Sequence, residues 1–120
     1  MPKKILIVDD DPDMVYILQH AFEKEGYEVV TALDGQQALR TLKTVTPDLM
    51  MMDLTMPGIS GWHLNMKVRQ DERFKNTPII ILSGLLEKES TPEQFEAGTV
   101  YIPKPFEIFE LIAKVKELLK

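Results

Sequence analysis

Five side chains in this sequence stand where an apolar run gives way to polar residues. Asp9 and Asp10 follow "ILIV", Asp53 follows "LMMM", Ser83 follows "IIIL", and Lys104 follows "VYIP". Aspartate is seldom buried without a partner, so a carboxylate at the lip of a buried run asks for other charges aimed at the same point. Three converging carboxylates repel one another, and one ammonium does not offset them, but a bound divalent cation does. This carboxylate-rich, all-oxygen set suits Mg2+, with Mn2+ as its substitute. An aspartate so placed can also be the nucleophile that accepts a phosphoryl group and forms an acyl phosphate. The attack moves negative charge onto the phosphoryl oxygens, where a cation, the Lys104 ammonium and the Ser83 hydroxyl would stabilise it. Taken alone, Asp53 reads more simply as a strand-end aspartate that caps the next turn. The chemical reading therefore depends on whether the fold brings the five groups together.

The elements that must position them are well punctuated. "KKILIV" reads as a strand ending at Val8. A helix follows over about 12–25 by the pattern of Val15, Leu18 and Phe22, with Asp11 as N-cap, Pro12 at the first helical position and Gly26 just past the end. "YEVVTA" is a second strand, and "DGQQALRTLKTVT" an amphipathic helix with Ala38, Leu39 and Leu42 inward. The unbroken apolar run in "PDLMMMD" suits a third strand covered on both faces. "SGWHLNMKVRQDE" reads as a third helix capped by Ser60, "TPIIILSG" as a fourth strand and "TVYIPK" as a short fifth. Between those two strands, Thr91 to Gln94 match a capping box, which predicts a short fourth helix from about 92 to 97 after a loop from Gly84 to Ser90. In the last helix, "PFEIFELIAKVKELLK", Phe106, Phe109, Ile112 and Val115 fall at helical spacing.

Strand and helix alternate with short connections, which predicts an α/β fold: a doubly wound five-stranded parallel sheet with right-handed crossovers, helices on both faces, and a short or irregular fourth helix. Ligands of such sheets gather at the carboxyl ends of the strands, where all five polar groups are expected. No linker or internal repeat divides residues 1–120, so one domain is expected. The net charge of −5 and the absence of a basic run with interleaved aromatics argue against direct binding of nucleic acid. There is no apolar run of about 18 residues to span a membrane. With no cysteine there is no thiolate ligand or nucleophile, and a cytoplasmic location is expected.

The segments "ILIVDDDP", "PDLMMMDLTMPG", "IIILSG" and "YIPKPF", in this order along essentially the whole chain, resemble the signature segments of response-regulator receiver domains of two-component signalling. The resemblance implies the flavodoxin-like (CheY-like) sheet order 2-1-3-4-5, with Asp53 as phosphoacceptor. It implies Asp10 and the backbone carbonyl of Thr55 as direct Mg2+ ligands beside Asp53, with Asp9 acting through a water. It makes Ser83 the switch hydroxyl, Lys104 the ammonium on the phosphoryl oxygens, Tyr101 the aromatic switch residue, and Lys104–Pro105 a cis peptide. The implied partners are a sensor histidine kinase or phosphotransfer protein, and a downstream protein or a second copy. The latter would bind a face made by the short fourth helix, the fifth strand and the last helix.

Some positions depart from the common pattern. In the family the side chains at the positions of Thr55 and Leu85 help place or block the hydrolytic water; an apolar Leu85 orients no water, which predicts slow self-dephosphorylation. Because the chain ends with the last helix, a stand-alone receiver is expected. Its rival is a pseudo-receiver that binds partners without phosphorylation, against which stands the intact set Asp9, Asp10, Asp53, Ser83 and Lys104. A Mg2+-dependent phosphatase of the haloacid-dehalogenase type would want a second aspartate where Thr55 stands. His20 and His63 have no ligand-spaced neighbours and read as surface or packing residues, Met50 to Met52 as strand core, and Trp62 as a partly buried helix residue. Asp11 and Asp13 read as helix N-terminal residues, with Asp11 extending the acidic cluster.

Overall fold

The computed structural model describes residues 2–54, 56–83 and 98–120, with the Ser83 side chain outside that description. Strands β1 (Lys4–Val8), β2 (Glu28–Ala32), β3 (Leu49–Asp53), β4 (Ile79–Ser83) and β5 (Thr99–Pro103) form one parallel sheet in the order 2-1-3-4-5. Between and after them run α1 (Pro12–Lys24), α2 (Gly35–Thr41), α3 (Gly61–Arg69), a 3-10 turn at Glu72–Phe74, and α4 (Ile108–Leu118). The short helix expected at 92–97 and the loop expected at 84–90 lie outside the described residues.

Strand side chains divide by parity into two cores. Leu6, Val8, Met50, Met52, Ile79 and Ile81 pack with Ala38 and Leu42 around α2 and with Leu64 and Val68 of α3. Ile5, Ile7, Leu49, Met51, Ile80 and Leu82 pack on the other face with Val15, Leu18 and Phe22 of α1 and Leu111 and Val115 of α4. This two-sided burial explains why β1, β3 and β4 are nearly continuous apolar runs. All five residues of β3 are buried, Asp53 included. Register is pinned at the amino-terminal edge, where the Lys4 N–H donates to the Asp48 carboxylate at 2.8 Å and the Asp48 N–H to the Lys4 carbonyl at 2.7 Å.

Helix α1 begins as read: the Asp11 carboxylate accepts from the Asp13 N–H, Pro12 opens the helix, and Gly26 follows its end at φ 95°, a conformation costly for any residue with a Cβ. Two helices are shorter than the sequence suggests. Helix α2 ends at Thr41 rather than running on through "TLKTVT", because Leu42 already fills the core and the following backbone closes as turns at Lys43, Thr44 and Val45. Helix α3 stops at Arg69 instead of reaching Glu72, since the Asp71 carboxylate accepts from the Arg73 N–H and starts the 3-10 turn that buries Phe74.

The stripe on the last helix also needs correction. Phe109 is 78% exposed, and the buried positions are Leu111 and Val115, four residues apart, flanked by half-buried Ile108 and Ile112. The helix starts at Ile108, so Phe106 packs from the preceding loop and does not set the phase of the helical face.

Candidate functional site

Parity places the central carboxylate. Asp53 shares the parity of Leu49 and Met51, and Asp9, one residue beyond Val8, shares that of Ile5 and Ile7. Since Val8 pairs with Met52, Asp9 and Asp53 are the next step of the same register on two adjacent strands. They stand side by side at the carboxyl edge, on the side of the sheet covered by α1 and α4. The backbone still pairs there: the Asp9 N–H donates to the Ala32 carbonyl at 3.1 Å and the Leu54 N–H to the Leu82 carbonyl at 3.4 Å. Both carboxylates are therefore fixed by strand geometry rather than by loops.

Lys104 reaches them from the end of β5. It follows Pro103, which pairs with Ser83 at the end of β5, and its Nζ lies 3.2 Å from Asp9 Oδ2 and 3.7 Å from Asp53 Oδ2. Asp9 is only 2% exposed, and its other oxygen, Oδ1, accepts from the Asp11 N–H at 3.0 Å. Asp10 is exposed, and a carboxylate oxygen of Asp9, Asp10 and Asp53 each lie within 4.8 Å of one another. Among the described residues, three carboxylates stand against one ammonium in a partly desolvated corner, where Coulomb interactions are stronger than in water. The donor set is hard oxygen throughout, and it fits a small divalent cation.

The remaining expected groups are placed as follows. The Lys104–Pro105 peptide is cis. Tyr101 sits on β5 opposite Ile81, half-buried against the core shared with α2 and α3. Ser83 ends β4, while its hydroxyl, and Thr55 with its carbonyl, lie outside the described part. Asp11 does not extend the cluster; its carboxylate is engaged in capping α1. His20 and His63 are exposed, the first against the Tyr16 ring and the second with Nδ1 3.2 Å from Ser60 Oγ, and neither approaches the carboxylates closely enough to join them as a metal ligand.

Two residues escaped the sequence reading. Gly61 opens α3 directly beneath Asp53 and Leu54, and its N–H donates to the Leu54 carbonyl at 2.8 Å. A glycine at the first position of a helix, where it lowers helix propensity, was the available signal of a close approach. Arg69, 7% exposed, donates from Nη1 to the carbonyls of Phe74 and Thr77 at 2.8 and 2.7 Å and from Nη2 to Thr99 Oγ1 at 3.0 Å. In the sequence it looks like any arginine in the last turn of a helix.

This geometry has close relatives. The family model described as the response regulator receiver domain matches residues 5–116. The alkaline phosphatase synthesis transcriptional regulatory protein PhoP of Bacillus subtilis is 37% identical over 121 residues, covering 100% of this chain and 50% of its own length. The chain thus spans about half the length of curated relatives such as this one. Among solved structures, the receiver domain of the Francisella response regulator 1452 superposes with a TM-score of 0.88 at 36% identity, covering 98% of this chain and 96% of that one. The response regulator TrrA of Thermotoga maritima, solved in complex with Mg2+ and BeF, gives a TM-score of 0.83 at 34% identity over 98% of this chain and 99% of that one. Parallel order 2-1-3-4-5, an acidic corner at the carboxyl ends of β1 and β3, and a family match over nearly the whole chain agree, and the chain belongs to the response regulator receiver domains of two-component signalling.

Proposed function

We propose that this receiver is a phosphorylatable switch in which Asp53 takes a phosphoryl group from a phosphohistidine of a sensor kinase or phosphotransfer protein. The observation that carries the reading is the convergence of Asp9, Asp10 and Asp53 with Lys104 at one strand edge. A carboxylate oxygen of Asp53 attacks phosphorus, the new P–O bond forms as the P–N bond to the donor imidazole breaks, and the imidazole nitrogen keeps the electron pair. When bound, Mg2+ supplies positive charge against the phosphoryl oxygens. Asp10, exposed, is suited to bind the ion directly with Asp53 and the Thr55 carbonyl. Asp9, whose two oxygens already accept from Asp11 and Lys104, is suited to reach it through water. Lys104 already bridges Asp9 and Asp53, and a modest movement of its flexible stem carries the ammonium to a phosphoryl oxygen.

The added charge then biases a two-state element. Ser83 at the end of β4 and Tyr101 on β5 are the proposed relay, and the face that includes β5 and α4 is proposed to take a downstream protein or a second copy. The unit is proposed to accept the phosphoryl group on its own, in the cytoplasm, without contacting nucleic acid itself. Among the described residues no helix is long and apolar enough to cross a membrane.

Intact-protein mass after incubation with Mg2+ and acetyl phosphate tests this, with EDTA and Asp53→Asn as controls. One phosphoryl adduct lost in both controls is the expected result. No adduct on the unaltered protein, from acetyl phosphate or from a phosphorylated histidine kinase, would overturn the reading in favour of a pseudo-receiver.

A further inference from the structure

Helix α3 packs directly onto the sheet's carboxyl edge through Gly61, its first residue. A methyl group there would fall 2.7 Å from Leu54 Cα and 3.0 Å from the Asp53 carbonyl carbon, and closer still to the Asp53 carbonyl oxygen. All three are backbone atoms of the strand end that carries Asp53, so no side-chain rotation relieves the overlap. The contact is also bonded, since the Gly61 N–H donates to the Leu54 carbonyl at 2.8 Å. Neither side can easily retreat: α3 is held by buried Leu64 and Val68, and the strand end by buried Met52, Leu54 and Met56.

From this contact we infer that Gly61 is a positioning residue, which sets the depth and aim of the Asp53 carboxylate by letting α3 seat directly on the Asp53–Leu54 peptide. The inference deepens the phosphoacceptor reading of Asp53 and rests on it. A Cβ at residue 61 forces either α3 outward or the Asp53–Leu54 peptide to turn. Turning that peptide moves the carboxylate relative to Asp9 and Lys104, which belong to other elements and are held to each other, and relative to Asp10. A displacement of about 1 Å in a reacting group costs on the order of 100-fold in rate.

Gly35 provides a matched control. It is also buried at the first position of a helix, α2, and a methyl there would fall 2.9 Å from Ile59 Cβ and 3.1 Å from the Ile59 carbonyl oxygen, away from Asp53. The test compares unaltered protein, Gly61→Ala and Gly35→Ala, all folded by circular dichroism. It measures Mg2+ affinity by calorimetry and the rate of labelling by acetyl phosphate. Gly61→Ala is expected to weaken Mg2+ binding and to slow labelling by roughly 10- to 100-fold, while Gly35→Ala follows the unaltered protein in both. Equal behaviour of Gly61→Ala and the unaltered protein, or equal losses in the two variants, would overturn the inference.

A measurement on the unaltered protein stands in if Gly61→Ala does not fold. Titration with Mg2+ should shift the Gly61 amide resonance and slow its hydrogen exchange while leaving the Gly35 amide unchanged, and an unmoved Gly61 amide would sink the idea. If the unaltered protein binds Mg2+ but is never labelled, the phosphoacceptor reading fails, while the affinity and amide measurements still decide the role of Gly61.

Discussion

The two edges of the sheet hold their buried charges in opposite ways. At the amino-terminal edge, among the described residues, the Arg69 guanidinium donates to neutral acceptors: the carbonyls ahead of β4 and the Thr99 hydroxyl that opens β5. At the carboxyl edge Asp9, Asp10 and Asp53 crowd together with Lys104 as the cation between Asp9 and Asp53. The first arrangement ties α3, the approach to β4 and the start of β5 together. The second, among the described residues, sets two strand-end carboxylates and the exposed Asp10 against one ammonium, which favours a cation and an incoming group that redistributes charge. A buried charge satisfied by neutral dipoles stabilises, whereas a buried charge left in excess is available for chemistry.

That contrast can be broken at either end. Asp53→Asn should have the largest effect, abolishing the phosphoryl adduct in the mass spectrum while leaving the urea midpoint near that of the unaltered protein. Lys104→Met should slow labelling by roughly 100-fold, as expected for loss of a fixed charge stabilising the transition state. The same change should tighten Mg2+ binding, because it removes a competing cation from the carboxylates. A rate unchanged by Lys104→Met would show that the ammonium serves only to hold Asp9 and Asp53 apart from each other's charge.

At the opposite edge Arg69→Leu should lower stability by about 3 kcal/mol, since it leaves buried carbonyls without donors. Its labelling rate should stay within about twofold, on the additivity expected of distant sites; a large loss of rate would mean the two edges are coupled through β5. Arg69→Lys should not restore stability, because an ammonium does not reproduce the planar fork that reaches the loop and Thr99 together. Asp11→Ala, which removes the cap of α1, should cost about 1 kcal/mol in urea unfolding.

The smallest effect belongs to the exposed link between Lys116 of α4 and Glu25 at the end of α1, at 2.7 Å. The hydrogen bond from Lys116 to Glu25, and then their charge attraction, raise the Lys116 pKa above the ordinary lysine value of 10.5. Because the raised value belongs to the folded state, the link's contribution is full below the unfolded lysine value. It is lost as pH rises through the folded one. The stability difference between the unaltered protein and Lys116→Met should therefore hold steady from pH 7 to 9 and shrink above about 10.5. A difference that grew with pH in that range would reverse the assignment.

Much of the carboxyl edge was legible because strand ends announce themselves. "ILIVDD" and "LMMMD" each change from apolar to acidic at one position, and period-two alternation then fixes the side of the sheet on which the acid stands. Helix starts were legible for a similar reason, since Asp11 and Ser60 carry the side-chain acceptors that the first turn requires. Helix ends were not. Nothing in "TLKTVT" states that Leu42 is the last residue with core to fill, and nothing in "VRQDE" states that Asp71 will cap a new turn.

The sequence by itself determined the alternation of strand and helix, the two-sided burial of β1, β3 and β4, and which residues stand at their carboxyl ends. These follow from local periodicity and composition, which act over a few residues. Only the tertiary structure decided that Asp9 rather than Asp10 is buried and that Lys104 bridges Asp9 to Asp53. It also decided that Phe109 faces solvent, that Arg69 ties α3 to β5, and that Gly61 carries the weight of α3 on the Asp53 peptide. Each of these depends on the distance between elements far apart in the chain. That distance is set by how two cores of particular volume close around one sheet, a quantity no local pattern encodes.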